Sequence, residues 1–246
     1  MKTEYLAVMG LASLSLLTTW IGVLLALKLR NNGHAIAVGI GFSVGIMLLI
    51  SLLELAPEAI SRAGLGSVAP SFLAGIAIIW SAHLLIPHRH LTDERGRGNP
   101  RLVRTVYLVA FGLVLHDFPE GFAMANGYIA SPELGIMLAL AIALHNIPEE
   151  FAMAVPAVML GRKRLMYAAA GLSALAEPLG AAIGLVAVAL APALNSHFMA
   201  FAAGAMVFVS VHELIPMARR HRQPVWFGAG ALLSIAVYGL LTLIEA

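Results

Sequence analysis

Apolar residues in this chain of 246 arrive in runs of about twenty, and nothing else constrains its fold as strongly. A helical run of that length matches a hydrocarbon core roughly 30 Å thick. The chain is 60% hydrophobic and only 11% charged, with a mean hydropathy of +0.90. Soluble domains carry about 25% charged residues. These figures exclude a soluble enzyme, a nucleic-acid binder and a disordered chain. They leave a polytopic membrane protein, read as one domain over residues 1–246.

Eight apolar segments are expected to be helices, at 5–27, 35–56, 68–86, 103–127, 134–160, 166–190, 197–217 and 225–244. Period-two alternation is absent, which argues against a barrel. Only helices and closed barrels satisfy their own backbone in lipid. The fold class is therefore an all-α bundle of eight transmembrane helices. The first segment lacks a small-residue cleavage site and reads as a retained helix, not a signal peptide. All 15 Lys and Arg residues except Lys2 and Arg62 lie in or beside the connections after helices 1, 3, 5 and 7. Basic loops face the cytoplasm, so both termini are expected outside. The longest cytoplasmic loop, 87–102, carries His88 and His90.

Two internal similarities add detail. GIMLLISLLELAPEA (45–59) aligns without gaps to GAMVFVSVHELIPMA (204–218), with seven of fifteen positions identical. HDFPEGFAMA (116–125) aligns to HNIPEEFAMA (145–154), with seven of ten identical. Helices 2 and 7 run in opposite directions in this topology. Helices 1–3 and 6–8 are therefore expected to form an inverted repeat around helices 4 and 5, an arrangement found in many transporters.

The acids point to chemistry. Eight of the 13 Asp and Glu residues fall within or at the ends of spans: Glu54, Glu58, Asp117, Glu120, Glu149, Glu150, Glu177 and Glu213. The spans hold essentially no Lys or Arg to balance them. Each ionised acid at mid-membrane costs roughly 3 kcal/mol, so four or five cost on the order of 10–15 kcal/mol. That is comparable to a protein's whole stability. Protonation, a water-filled cavity or a bound cation must offset it.

Helical spacing decides among these. His116 and Glu120 share one face, four residues apart, and His145 and Glu149 repeat the spacing. Asp117 and Asn146 flank the two histidines. Pro119 and Pro148 precede the two glutamates and free the carbonyls of Leu115 and Leu144, because proline lacks an N–H. Helix 6 adds Glu177 beside Pro178. With no cysteine in the chain, a metal must be held by nitrogen and oxygen. Imidazoles with carboxylates suit first-row dications, Zn²⁺ foremost, with Fe²⁺, Mn²⁺ and Cd²⁺ as further candidates. Up to seven ligands would hold two ions, with Glu120 and Glu149 bridging them.

HDFPEG, HNIPEE and LAEPLGA, with eight helices and a His-containing loop between helices 3 and 4, resemble the ZIP (ZRT/IRT-like) family of divalent metal transporters. The likeness is strongest to its bacterial ZupT/GufA-like branch. The resemblance implies import of metal into the cytoplasm across the inner membrane. It implies a first site of His116, Glu120, His145 and Glu149. Asp117, Asn146 and Glu177 would form a second site sharing the two glutamates, and His212 and Glu213 would lie near a cytoplasmic exit. The branch usually has Asn at position 117 and Gly at position 150, so Asp117 and Glu150 make this cluster more acidic.

Glu54 and Glu58 read as an entrance site or a solvated helix end. Met47 and Met206 occupy matched repeat positions, where a thioether could touch a soft ion in transit. His83, His88 and His90 read as solvated or weakly metal-sensing. His197 and His221 read as loop residues, and His34 carries no signal. The expected partners are divalent metal ions and the lipid bilayer, with a homodimer as an open assembly state and no nucleic acid or prosthetic group. An enzyme is disfavoured: HELIP at 212–216 lacks the second histidine of a zinc protease motif. No P-loop is present. A metal- or proton-conducting channel built on the same acids is the alternative. Ligands that exchange protons for metal lead to pH-dependent uptake.

Overall fold

A computed structural model of the chain describes residues 2–29, 32–85, 100–159, 161 and 163–244. The described residues form eight helical segments and no strand: α1 (Thr3–Leu29), α2 (Gly33–Ala63), α3 (Leu65–Leu85), α4 (Pro100–Ala130), α5 (Pro132–Met159), α6 (Lys163–Leu190), α7 (Pro192–His221) and α8 (Pro224–Leu241). All except α4 are long and apolar enough, over described residues, to cross a bilayer. Most helices overrun the expected boundaries. Polar residues such as Glu58, Arg62, Arg219 and His221 sit on terminal helical turns that apolarity alone does not mark. His197 and His221 are correspondingly helical rather than in loops. The 87–102 loop, with His88 and His90, lies over 87–99 outside the described residues, and helix has begun by Pro100.

Several helices deviate locally. Helix α1 is interrupted at Ser13, where the Leu16 N–H reaches only three residues back, to the Ser13 carbonyl at 3.2 Å. More telling are two π-helical turns, Ile50–Leu55 in α2 and Ser210–Leu214 in α7. In each, the closing N–H, from Ala56 or Ile215, reaches five residues back to Ser51 or Ser210. The extra residue per turn lets Pro57 and Pro216 enter the first turn of the next α-helix, where no donor is needed. These turns fall on aligned positions of the 45–59 and 204–218 segments, so the sequence match takes one local form twice.

The helices sort into two bundles. In one, α1 packs on α5 and α4 packs on α6. In the other, α2 packs on α8 and α3 packs on α7. The bundles meet through α2 against α5 and α4 against α7. Helices α2 and α7 cross antiparallel: the start of α2 packs on the end of α7, and its end on the start of α7.

Glycine permits the close crossing of α4 and α6. A Cβ on Gly121 of α4 would run into the Glu177 carbonyl oxygen, and one on Gly180 of α6 into that of Phe118. Lipid offers no hydrophobic drive between helices, so small residues that admit close backbone contact hold them together. This crossing brings α6 alongside the polar stretch of α4. Gly121→Ala is expected to lower stability by about 1–3 kcal/mol, the usual cost of overpacking. Gly228→Ala, with nothing within 4 Å of the added carbon, is expected to be neutral. Thermal unfolding in detergent compares the two, and equal melting temperatures would contradict the close-crossing account.

Candidate metal centre

Helical periodicity projects His116 and Glu120 from α4, and His145 and Glu149 from α5, into the space between the two helices. His116 Nε2 lies 2.6 Å from Glu149 Oε1 and 3.3 Å from Glu120 Oε1. His145 Nε2 lies 3.0 Å from Glu120 Oε1 and 3.9 Å from Glu149 Oε2. Each imidazole thus meets carboxylates from both helices. One potential ligand atom from each of the four residues falls within 4.8 Å of the others. All four are buried, at 0–3% exposure, so bulk water does not solvate the carboxylates.

The second ring nitrogen fixes one imidazole. His145 Nδ1 donates to the Ala141 carbonyl at 2.9 Å, which turns Nε2 toward the glutamates, 3.0 Å from Glu120 Oε1. Such an outer contact orients a metal-binding histidine. Ser43 of α2 donates to the His145 carbonyl at 3.0 Å, and a Cβ on Gly39 of α2 would lie 2.9 Å from the Pro148 ring. The α5 site face is therefore braced by the other bundle.

A second polar layer adjoins the first. Asn146 Nδ2 donates to Glu177 Oε2 at 3.0 Å, joining α5 to α6. The Ser173 hydroxyl lies within hydrogen-bonding reach of both Asp117 and Glu150, joining α4, α5 and α6. All are at most 5% exposed. Ser173 did not emerge from the sequence, although Ser173 and Glu177 share the four-residue spacing that marks the two histidine faces. A lone serine on an alanine-rich helix gave no reason to apply it. Ser43 lies among glycines on α2 and carried no signal either.

Over residues 81–242 the chain matches the family model described as ZIP Zinc transporter. The chain belongs to the ZIP zinc transporter family. Its relatives include the zinc transporter ZupT of Corynebacterium aurimucosum, 41% identical over 227 residues, covering 85% of this chain and 86% of the relative. The zinc transporters ZupT of Escherichia fergusonii and Salmonella newport are each 37% identical over 235 residues, covering 90% of both chains. The ZIP likeness thus extends across nearly the whole chain, including the polar faces of α4, α5 and α6.

The remaining candidates of this ZIP chain lie elsewhere. Glu54 accepts a hydrogen bond from Tyr238 of α8, and Glu58 pairs with Arg62 at 2.5 Å; neither joins the cluster. Met47 is buried, with its sulfur 3.5 Å from the Ser210 hydroxyl. Glu213 meets His83 Nδ1 at 3.0 Å, and the His83 and His212 rings are 5.1 Å apart. His83 is therefore packed against α7 rather than solvated, because the parallel run of α3 and α7 carries it to Glu213. His34 stacks on Trp226 with centroids 4.9 Å apart.

Asp117 places a buried carboxylate beside the histidine-bearing layer, and carboxylates suit Mn²⁺ better than imidazoles do. Asp117→Asn is expected to lower Mn²⁺ affinity relative to Zn²⁺ by about tenfold, the lower end of losses on removing a supporting interaction. Calorimetric titration of both metals into wild type and variant measures it. Unchanged relative affinity would contradict this role for Asp117.

Proposed function

We propose that the chain imports divalent metal, zinc foremost, across the cell's inner membrane into the cytoplasm through the buried centre of α4, α5 and α6. The observation that carries this reading is the convergence of His116, Glu120, His145 and Glu149 within one ion's coordination distance. The centre is read as binuclear. His116, Glu120, His145 and Glu149 serve one ion, and Asp117, Asn146 and Glu177 serve a neighbour that shares the two glutamates. Glu150 and Ser173 border the second position. Fe²⁺, Mn²⁺ and Cd²⁺ suit the same donors. His212 and Glu213, with His83 against them, line the route of release. Family membership supplies the direction, since the ligands are symmetric with respect to it.

The reading includes eight spans in a single domain over 1–246, both termini outside, and an inverted repeat of helices 1–3 and 6–8. Exchanging α1 with α6, α2 with α7, α3 with α8 and α4 with α5 turns each close helix pair into another: α1–α5 into α6–α4, and α2–α8 into α7–α3. The antiparallel crossing of α2 and α7 fits the same exchange. The bilayer, or a second copy in a homodimer, covers α3 and α8, whose most apolar stretches are 17% buried.

The partition into bundles suits alternating access. Every candidate ligand of the main centre belongs to the α1/α4/α5/α6 bundle, and none to the other. Metal sheds water onto the carboxylates and displaces protons from them. Movement of one bundle against the other then opens the centre to the opposite side. Burial of all four ligands supports a carrier over a channel.

Uptake into liposomes holding purified protein tests the reading. Wild type is expected to accumulate zinc with saturation and with a dependence on pH, since protons and metal compete for the ligands. Glu120→Ala and Glu149→Ala are each expected to reduce uptake at least tenfold, given that losing even a ligand's supporting contact costs 10–100-fold in metal affinity. Wild-type uptake in both variants would remove the site assignment.

A further inference from the structure

The two bundles touch through a charged contact at one end of the molecule, away from the metal centre. Arg62 lies in the last helical turn of α2. Its Nε donates to Glu58 Oε1 at 2.5 Å, one turn earlier on α2. Its Nη2 donates to the Ala130 carbonyl at 2.8 Å. Ala130 ends α4, so the guanidinium crosses from one bundle to the other. The contact suits both ends: the last carbonyls of a helix have no intrahelical partner, and the helix dipole favours a cation there.

A cavity of about 570 Å³ lies beside this contact, between the two bundles. Glu54, Pro57 and Glu58 of α2 line one wall, and Ser131 of the α4–α5 turn with Glu133 and Leu134 of the first turn of α5 line the other. The acids there are engaged: Glu54 by Tyr238, Glu58 by Arg62, and Glu133 by the Ser131 hydroxyl at 2.7 Å. Leu134 at the cavity's edge is 2% exposed. Widening this mouth moves the end of α2 away from the end of α4, which requires the Arg62–Ala130 bond to break.

We infer that Arg62 is a clasp between the two bundles, a positioning residue whose guanidinium, oriented by Glu58, holds the outer mouth narrow until the bundles shift. Arginine suits this task because its fork directs two donors from one planar group, whereas a lysine ammonium is a point charge without that fixed fork. The assignment of this mouth to the outside rests on the transport reading above. The clasp itself rests on the contacts and the cavity.

The absence of cysteine from the chain allows a direct test. A single reporter, Leu134→Cys, is placed in protein reconstituted into liposomes, and its reaction with a membrane-impermeant maleimide is timed. Adding Arg62→Gln is expected to raise the labelling rate roughly threefold to tenfold, the scale of losing one partly exposed charge-assisted hydrogen bond. Arg62→Lys is expected to behave like Arg62→Gln. Glu58→Gln, which leaves the Ala130 contact in place, is expected to give a smaller rise. Zinc affinity by titration is expected to stay within about twofold of the reporter protein's, a readout that general loss of structure would move. An unchanged labelling rate in Arg62→Gln, or in Arg62→Lys should Arg62→Gln fail to fold, overturns the clasp. Labelling needs no metal movement, so a failure of the uptake reading in wild type remains distinguishable from a failure of the clasp.

Discussion

Buried negative charge without a fixed positive counterpart is the constraint on which the rest of this molecule depends. Five carboxylates, those of Asp117, Glu120, Glu149, Glu150 and Glu177, are at most 5% exposed, and among the described residues no buried Lys or Arg accompanies them. His116 and His145 are the nearest groups able to carry positive charge. Desolvation of an unpaired carboxylate is far costlier than any single packing contact returns. The arrangement is economical only with protons or a dication in it, and a site that exchanges the two has the character a carrier needs. A soluble metal enzyme could meet the same chemistry on loops. Here helices must do it, because lipid admits no irregular exposed backbone.

The cluster's shape follows from short-range rules. A four-residue offset stacks His over Glu on α4 and again on α5. Glycine at 121 and 180 draws α6 against α4, so that Glu177 and Ser173 reach the same interior. Proline enters α2 and α7 through π turns that absorb its missing donor. Such turns are frequent at functional positions in helices. Here each places a glutamate, Glu54 or Glu213, at the edge of the bundle opposite the one that carries the His/Glu cluster.

Much of this was legible in the sequence, and for definite reasons. The clustering His/Glu faces of α4 and α5 could be read because their polar residues interrupt apolar runs at helical spacing, twice, in nearly the same words. The 45–59 and 204–218 match coincides with the two π turns, although nothing in the sequence marked them as π-helical. The helix ends were less legible, since terminal turns carry polar residues such as Arg62 and Arg219 that hydropathy assigns to loops. Long-range partners were illegible altogether. Nothing local indicates that Ser173 reaches Asp117 and Glu150, that His83 reaches Glu213, or that Arg62 crosses to Ala130, because each depends on how two distant helices are set side by side.

The account stands most directly on what a bound ion touches. X-ray absorption spectroscopy of the zinc-loaded protein reads the first coordination shell. The account predicts imidazole scattering from two histidines per pair of zinc ions with the remaining ligands oxygen, and loss of that imidazole signature in the His116→Ala, His145→Ala double variant. A shell of oxygen alone in the wild type, or one that the double variant leaves unaltered, would contradict it.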